Sequence, residues 1–251
     1  MRFTKLLSAL LIAPSASSPM AISAPGPQVL VDPAGVYMRA TRLNDNTIIA
    51  GYAAQDGPNH LLRVVKSSDA GSSWTQLGTV TAGDSATHDI DNAFPLQLPS
   101  GRILFAFRNH DRTSKGVYTY YRITVCYSDD GGVTWSFLTQ IDERHANGVN
   151  GLWEPFLRVS RNGTLQVFYS SENNGGDQDN VMKTSTDGGA SWAGPFAVSG
   201  QGITSRDGMT AVADVGGKLM CVFENTESGP FSINYVLSYD DGFTWSSRTR
   251  L

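Results

Sequence analysis

An eight-residue pattern that occurs four times constrains the fold of this chain more than any other feature. Its shared form is Ser-x-Asp-x-Gly-x-Ser/Thr-Trp, where x is any residue. The four copies occupy residues 67–74, 128–135, 185–192 and 238–245, so that successive closing tryptophans lie 61, 57 and 53 positions apart. Self-similarity at this spacing indicates that one structural unit is repeated along the chain.

The residue types in the pattern predict a tight hairpin turn. Asp and Ser side chains bond to backbone N–H groups inside turns, and Gly adopts a positive φ at no steric cost. The Trp is expected to pack back beneath the turn. We therefore interpret Asp69, Asp130, Asp187 and Asp240 as turn-forming residues and not as catalytic acids.

A second repeated element precedes each copy and consists of two apolar strands joined by a Gly- or Asn-containing turn. These turns lie at residues 44–46, 99–101, 161–163 and 215–217. Strands are expected after them at 47–52, 102–107, 164–169 and 218–223, and before the hairpins at 61–66, 121–127, 180–184 and 232–237. Four antiparallel strands repeated at this period are typical of a β-propeller blade. The 26 Gly residues and the low charged fraction of 17% also favour an all-β protein.

The N-terminal segment predicts a secreted protein. Residues 1–23 have the form of a signal peptide, with Arg2 and Lys5 before the short apolar run Leu6–Ala13 and small residues after it. The apolar run is too short to span a bilayer. Residues 24–251 are then expected to form the propeller domain of an extracellular protein.

Charge and cysteine usage limit the classes of partner. The formal net charge of −4 argues against nucleic acid or an anionic membrane as the main partner and suits a neutral or cationic ligand. The four histidines have no metal-ligand spacing and no nucleotide-binding motif is present, so we expect no metal and no cofactor. Cys126 and Cys221 lie in apolar strands, which favours two buried free thiols over a disulfide.

The strand order brings the starts of the first strands and the ends of the second strands to one rim, opposite the Trp-containing hairpins. We aligned the units on their first turn. Nine positions before that turn stand Tyr37, Asn92, Glu154 and Gly208, and seven positions after it stand Ala53, Arg108, Ser170 and Glu224. Two carboxylates, Glu154 and Glu224, are therefore predicted to meet at this rim from neighbouring units.

Both carboxylates have unusual sequence surroundings. Glu154 lies among apolar residues in 151–157, and Glu224 ends the apolar strand 219–224. A buried acid costs free energy unless it is paired or used in chemistry. The alternatives are an ion pair with a rim arginine (Arg39, Arg108 or Arg206) and a pair of acids flanking a scissile bond, as glycoside hydrolysis requires.

Several motifs resemble glycoside hydrolase family 93. They are DIDNAFPLQLPSG at 89–101, FRNHD at 107–111, GLWEPF at 151–156, SRDGM at 205–209 and VFEN at 222–225. The four hairpins are similar to the Asp-box (bacterial neuraminidase) repeats of sialidases. The resemblance implies a secreted, mostly fungal, six-bladed exo-arabinanase that releases arabinobiose from linear α-1,5-L-arabinan with retention of configuration.

The resemblance also implies roles for individual residues. The catalytic pair of the family corresponds to Glu154 and Glu224. We favour Glu154 as the acid/base, because its apolar neighbours would raise its pKa, and Glu224 as the nucleophile, kept ionised by Arg108 or Arg206. Sugar or carboxylate partners are expected among Asn92, Arg108, Asn109, His110, Asp179, Arg206 and Asp207, and stacking surfaces at Tyr37 and Trp153. The alternative for each is a rim residue that satisfies a loop backbone.

The chain departs from the family in the number of visible blades, about four of an expected six. Leu251 follows the fourth hairpin closely, which suggests a C-terminally truncated domain; a complete four-bladed ring is the alternative. Residues 29–32 are expected to form a strand that would complete the last blade.

Two other functions fit parts of the sequence. A sialidase-like exo-glycosidase would need an arginine triad and a Tyr nucleophile, and Tyr37-Met38-Arg39-Ala40 loosely resembles a sialidase segment. A non-catalytic carbohydrate-binding propeller would present similar residues on every blade. The rim residues here differ from blade to blade, which favours a single asymmetric central site. We expect a monomer that binds a polysaccharide or oligosaccharide such as arabinan.

Overall fold

The computed structural model describes residues 26–251, which contain sixteen β-strands and no helix. The predicted signal peptide at 1–23 lies outside the described residues. Among residues 26–251 there is accordingly no helix with the length and hydropathy needed to cross a membrane.

The strands form four antiparallel sheets of four consecutive strands each, arranged as the blades of a β-propeller. Blade 1 contains β1 (Gly35–Arg42), β2 (Ile48–Asp56), β3 (Asn59–Ser67) and β4 (Thr75–Asp84). Blade 2 contains β5 (His88–Gln97), β6 (Ile103–Ser114), β7 (Val117–Ser128) and β8 (Ser136–His145). Blade 3 contains β9 (Leu152–Val159), β10 (Leu165–Asn174), β11 (Asp177–Ser185) and β12 (Ala193–Ser199). Blade 4 contains β13 (Gly208–Val215), β14 (Lys218–Asn225), β15 (Ser232–Ser238) and β16 (Ser246–Arg250).

This architecture confirms the predicted all-β propeller of four-stranded blades. The strands extend beyond the apolar runs that predicted them; for example, β11 covers Asp177–Ser185, whereas the sequence indicated 180–184. The added residues at the rim end are polar, which is why hydropathy alone placed the strand end too early.

The four Trp-containing hairpins are held by the hydrogen bonds that their residue types predict. In the first copy, Asp69 Oδ1 accepts from the Ser67 hydroxyl at 2.8 Å and from the Ser73 backbone N–H at 2.8 Å, and Trp74 Nε1–H donates to the Gly71 carbonyl at 3.1 Å. The same bonds recur in the other three copies. Hydrogen bonds from Ser73 lower the pKa of Asp69 to about 2. The interpretation of these aspartates as turn formers is confirmed.

The hydrophobic core lies mainly between neighbouring blades. Phe105 packs edge-on against Trp135 at 4.7 Å between ring centroids, in a cluster shared by blades 1 and 2. Phe168 of blade 3 meets Trp245 of blade 4 at 5.9 Å. Cys126 and Cys221 are free, buried and in separate clusters, as expected, and burial raises the pKa of both thiols.

The expectation that residues 29–32 form a strand is wrong. This segment has no strand conformation and lies against blade 1, where Val31 packs on the cluster that contains Tyr52. The Asp32 carboxylate accepts from the Tyr52 hydroxyl at 3.0 Å and from Arg63 Nη1 at 3.1 Å. These side-chain bonds hold the segment in place without backbone pairing.

Every blade has a bulge in its first strand, near the rim opposite the hairpins. The first bulged residue has a left-handed φ in each case: 52° at Tyr37, 53° at Asn92, 56° at Glu154 and 53° at Met209. In each blade, two consecutive residues of the first strand lie opposite a single aromatic residue of the second strand. From blade 1 to blade 4 these aromatic residues are Tyr52, Phe107, Tyr169 and Phe223. None of the four is glycine, so each bulge stores on the order of 1 kcal/mol of backbone strain, which commonly occurs at functional sites.

Candidate active site

The bulges show that our alignment of the four repeated units on their first turns is wrong at one position, in blade 4. In blades 1 to 3 the aligned residue is the strained bulge residue, but in blade 4 that residue is Met209, one position after Gly208. Gly208 instead pairs directly with Glu224, as Trp153 pairs with Ser170 in blade 3. The alignment is wrong by one residue in blade 4 because the segment from the bulge to the turn between the first two strands is one residue shorter there.

Glu154 occupies the bulge of β9, and its strained backbone directs the side chain towards the neighbouring blade. Its Oε2 accepts a hydrogen bond of 2.7 Å from the backbone N–H of Met209, the bulge residue of β13. A bulge therefore positions both the carboxylate and the amide that binds it. One carboxylate oxygen, Oε1, remains for other partners.

Glu224 lies on the adjacent blade, and Gly208 is its direct partner in the sheet. Gly208 has no side chain; the point where a Cβ would lie is 3.3 Å from Glu154 Oε2 and 3.6 Å from Glu224 Oε1. The separation of these two oxygens therefore cannot exceed the sum of the two distances, about 6.9 Å. The structure thus brings the two acids to one place, as the strand order predicts.

Neither acid is neutralised by an ion pair. Within residues 26–251, no Lys, Arg or His nitrogen lies within 4.0 Å of either carboxylate, although the rim arginines are present. Burial raises the pKa of Glu154, and the charge of Glu224 raises it further, against the opposing hydrogen bond from Met209. Burial also raises the pKa of Glu224, while the charge of Arg206 opposes that shift. The ion-pair alternative for these glutamates is not what the structure shows.

The two acids line one cleft between blades 3 and 4. The residues around it are Trp153, Glu154, Gln178, Arg206, Glu224 and Phe231. Gln178 and Phe231 were not singled out from the sequence. Gln178 follows a Gly-rich turn and reaches the cleft only because β11 continues to the rim. Phe231 is largely exposed in the loop before β15, where no periodic pattern marks it.

Arg206 faces the cleft but is engaged by a buried acid. Its Nη2 lies 2.7 Å from Glu172 Oε1 and 3.1 Å from Gln178 Oε1. Glu172 also accepts the backbone N–H of Gly151 at 2.8 Å, so that it connects Arg206 to the segment leading into Glu154. Arg206 therefore contributes positive charge near Glu224 from a fixed position.

Arg108 is likewise held by carboxylates. Its Nη2 lies 3.3 Å from Asp89 Oδ1 and 3.3 Å from Asp91 Oδ2, and its guanidinium stands 5.3 Å from the centre of the Trp153 ring. Trp153 also packs edge-on against the His110 ring, at 5.0 Å between centroids. This cluster fixes the tryptophan at the edge of the cleft.

Three expected ligand contacts lie inside the blades. His110 is fully buried, and burial lowers its pKa to about 3, so it is neutral. Asp207 is fully buried, with both oxygens held by Arg248 at 2.6 and 3.0 Å. Asn92 is buried at the bulge of β5, and its side-chain oxygen has no hydrogen-bond partner among the described residues. In this conformation these side chains support the rim and do not face the cleft.

The remaining predicted contacts are not among the residues that line the cleft. Tyr37 is 55% exposed at the bulge of blade 1. Asn109 follows Arg108 on β6, so its side chain projects to the opposite face of that strand. Asp179 is bonded to Asn173 Nδ2 at 2.9 Å and adjoins Gly200, outside the lining of the cleft. Among residues 26–251, no group of three or more His, Cys, Asp or Glu side chains has an arrangement suited to a metal ion.

Comparisons with known proteins agree with this architecture. The family model described as a BNR repeat-like domain matches residues 30–195. The α-L-arabinanase of Penicillium chrysogenum, solved with arabinobiose, is 24% identical with a TM-score of 0.71, and the GH93 α-L-arabinofuranosidase of Fusarium graminearum, also solved with arabinobiose, is 24% identical with a TM-score of 0.73. Each alignment covers 87% of this chain and 67% of the other.

More distant propellers share the fold as well. The NanB sialidase of Streptococcus pneumoniae is 11% identical with a TM-score of 0.63, over 92% of this chain and 55% of that one. A search of curated protein sequences found no match. At these identities the structural likeness establishes the fold, whereas the family model covers well over half of the sequence. The chain is therefore a member of the BNR repeat-like domain family with a sialidase-like β-propeller fold.

Proposed function

We propose that this protein is a secreted glycoside hydrolase that acts on linear α-1,5-L-arabinan from the chain end and releases arabinobiose with retention. One observation carries the proposal. Glu154 and Glu224, from neighbouring blades, place carboxylate oxygens within 3.3 and 3.6 Å of one point at Gly208, and neither is ion-paired within the described residues. A pair of unneutralised acids at one cleft is what glycoside hydrolysis requires.

The position of the acids is compatible with retention. Retaining enzymes hold their carboxyl groups about 5–5.5 Å apart, and inverting enzymes about 6.5–9.5 Å apart to admit a water molecule. The upper limit of about 6.9 Å for one pair of oxygens allows the retaining separation. At that separation Glu224 attacks the anomeric carbon directly.

In the first step, an oxygen of Glu224 forms a bond to the anomeric carbon while the glycosidic C–O bond breaks. Glu154 transfers its proton to the departing oxygen. In the second step, water attacks the same carbon, Glu154 takes the water proton, and the bond to Glu224 breaks. Two inversions at one carbon give net retention.

The surroundings of the two acids support this division of roles. The acid/base must be protonated before the first step, and both burial and the neighbouring charge of Glu224 raise the pKa of Glu154. Because Oε2 of Glu154 accepts the Met209 N–H, the proton is left to Oε1. The nucleophile must be ionised, and the charge of Arg206 acts in that direction on Glu224.

The substrate class is supported by the similar structures and by the charge of the cleft. Two of them were solved with arabinobiose bound. Two of the three rim arginines are paired with acids, Arg108 with Asp89 and Asp91 and Arg206 with Glu172, whereas Arg39 donates to the Pro155 carbonyl and pairs with no acid among the described residues. A sialidase would need a triad of arginines for the sialic acid carboxylate, and the pairing of Arg108 and Arg206 argues against such a triad. Residues 1–23 supply the signal-peptide pattern on which the secreted location rests.

The test is product analysis on linear arabinan with the wild-type chain and the Glu154→Gln and Glu224→Gln variants. We expect arabinobiose as the main product and a loss of at least about 100-fold in kcat for each variant. Hydrolysis of a sialoside but not of arabinan would replace this proposal with the sialidase-like function. Arabinan binding without hydrolysis in all three proteins would indicate a non-catalytic carbohydrate-binding propeller.

A further inference from the structure

Glu172, near the rim end of β10, is a buried acid beside the cleft. Its side chain is only 11% exposed, and a carboxylate in such a place costs free energy unless it is paired. It stands nine positions after the turn between the first two strands of blade 3, and the corresponding residues of the other blades are Gln55, His110 and Thr226. Among the four blades, only the one that carries Glu154 has an acid at this position.

The two oxygens of Glu172 have separate partners. Oε2 accepts the Gly151 N–H at 2.8 Å, and the Glu172 N–H donates to the Gly151 carbonyl at 2.9 Å. Oε1 lies 2.7 Å from Arg206 Nη2. A neutral glutamine would also accept the Gly151 N–H, so only the pairing with Arg206 requires a negative charge.

Arg206 is bound entirely to blade 3. Besides Glu172, its Nη2 donates to Gln178 Oε1 at 3.1 Å, and its Nη1 donates to the Gly175 carbonyl at 3.2 Å. Glu224, the proposed nucleophile, belongs to blade 4. The three acceptors therefore hold the guanidinium on the side of the cleft opposite the blade of Glu224.

Glu224 lies close enough to compete for Arg206. Both side chains line the same cleft. The point where a Cβ of Gly208 would lie is 2.9 Å from Gln178 Nε2 and 3.6 Å from Glu224 Oε1, so these two atoms are at most about 6.5 Å apart. No nitrogen of Arg206 nevertheless lies within 4.0 Å of Glu224. An ion pair there would engage the oxygen lone pairs with which a carboxylate attacks.

Two other ionisable side chains lie near Glu172. Arg144 Nη2 donates to the Ser171 hydroxyl at 2.7 Å and forms no ion pair within residues 26–251. Burial raises the pKa of Tyr121, and the charge of Glu172 raises it further, so this phenol is neutral. Arg206 is thus the charged group to which Glu172 is bonded in the described part of the chain.

We propose that Glu172 is a positioning residue that binds Arg206 and so keeps the Glu224 carboxylate free to attack the sugar. This inference rests on the proposed glycosidase function. The positive charge of Arg206 and the negative charge of Glu154 then both act on Glu224 without occupying its oxygens. When Glu172 loses its charge, Arg206 is released towards Glu224, which is the unpaired acid of the same cleft.

The experiment compares the wild-type chain with Glu172→Gln and with Glu143→Gln as a matched control. Glu143 is also paired with an arginine, at 3.1 Å from Arg122 Nε, but its side chain is 54% exposed on β8 and does not line the cleft. The measurements are kcat and KM on linear arabinan across the acid limb of the pH profile, and the pKa of Glu224 by carboxyl NMR without substrate.

In Glu172→Gln we expect Arg206 to pair with Glu224 and to lower the pKa of that carboxyl. The acid limb of kcat/KM follows the ionisation of the nucleophile, so it should move to lower pH by about 1 pH unit. kcat should fall about tenfold or more, because the pair must break before attack, and KM should stay within about twofold. Glu143→Gln should match the wild type in every measurement.

Two variants that keep the charge of residue 172 test the proposal even if Glu172→Gln does not fold. Glu172→Asp still attracts Arg206, so its acid limb should coincide with that of the wild type, although the contact with Gly151 is disturbed. Arg206→Gln removes the positive charge, so the pKa of Glu224 should rise and the acid limb should move to higher pH.

A lower kcat in Glu172→Gln with an unchanged acid limb would show a merely structural role and overturn the inference, while leaving the glycosidase proposal intact. The same holds for a shifted acid limb in Glu172→Asp or an unchanged pKa of Glu224 in Arg206→Gln. A wild-type chain that neither binds nor hydrolyses arabinan would overturn both proposals.

Discussion

The docking of blade 3 against blade 4 determines how the two acids meet, because Glu154 belongs to one blade and Glu224 to the other. At the end of the propeller that carries the Trp-containing hairpins, Asp241 of blade 4 bonds to residues of blade 3. Its Oδ1 lies 2.8 Å from Arg158 Nη2, and its Oδ2 accepts the backbone N–H of Arg161 at 2.6 Å. We predict that removing this carboxylate destabilises the propeller measurably.

The magnitude follows from three features of Asp241. It makes two charge-assisted hydrogen bonds, each contributing about 1.5–3 kcal/mol, and the side chains of Asp241 and Arg158 are only 15% and 16% exposed. Residue 241 has a φ of 64°, where alanine costs about 1 kcal/mol more than glycine. Gly131 and Gly188 occupy the same position in other copies of the pattern, so glycine suits this backbone.

We therefore expect a graded series in the free energy of unfolding. Asp241→Gly should lose about 3 kcal/mol, because the bonds are lost without backbone strain. Asp241→Ala should lose about 4 kcal/mol, and Asp241→Asn about 2 kcal/mol, because Asn keeps an acceptor and tolerates the conformation. Urea unfolding measures these values, and a domain of this size should show about 2–4 °C of melting shift per kcal/mol. A loss below about 1 kcal/mol for Asp241→Gly would refute the view that this contact fastens the blades.

Three further predictions concern ionisable groups. Hydrogen bonds lower the pKa of Asp69 to about 2, below the pKa of about 3.9 expected in the unfolded chain. The ionised Asp69 therefore stabilises the fold above about pH 3.9, and this stabilisation is lost as the pH falls towards 2. A urea midpoint unchanged between pH 5 and pH 2 would contradict this. Burial raises the pKa of Cys126 to about 11 and also that of Cys221, so a thiol reagent at pH 8 should modify neither in the native protein and both after unfolding; rapid native labelling would argue against buried thiols. Carboxyl NMR should show a raised pKa for Glu154 that falls in Glu224→Gln, because the neighbouring negative charge is removed; an unchanged value would mean that the two acids do not interact.

The sequence predicts the blades well because their signals are local. The bonds of Asp69 and Trp74 all lie within one eight-residue hairpin, so residue types at fixed spacing suffice to identify it. The apolar second strands are equally recognisable, and counting from the turns between them placed Glu224 at the rim. The same counting missed the position of Met209 because it assumed equal strand lengths.

The fine structure of the site depends on contacts between blades and has no local signal. Nothing around Glu154 or Met209 in the sequence indicates a left-handed backbone, because such bulges usually use glycine. The bond from Met209 to Glu154 joins residues 55 positions apart. Glu172 and Gln178 both bond to Arg206, which lies in the connection between blades 3 and 4.

At 29–32 the sequence predicts a strand that the structure does not form. The apolar run Val29–Val31 suits a strand, but pairing requires a free sheet edge, and side-chain bonds from Tyr52 and Arg63 to Asp32 hold the segment against blade 1 instead. A pattern of four residues is too short to decide between these outcomes.

The central claim is that Glu154 and Glu224 act on the two sides of a single glycosidic bond. The anomeric configuration of the first product tests it most directly. Proton NMR during the first minutes of arabinan hydrolysis should show α-arabinobiose before mutarotation produces the β anomer. The β anomer appearing first would contradict the account, as would full activity in a variant that lacks either carboxylate.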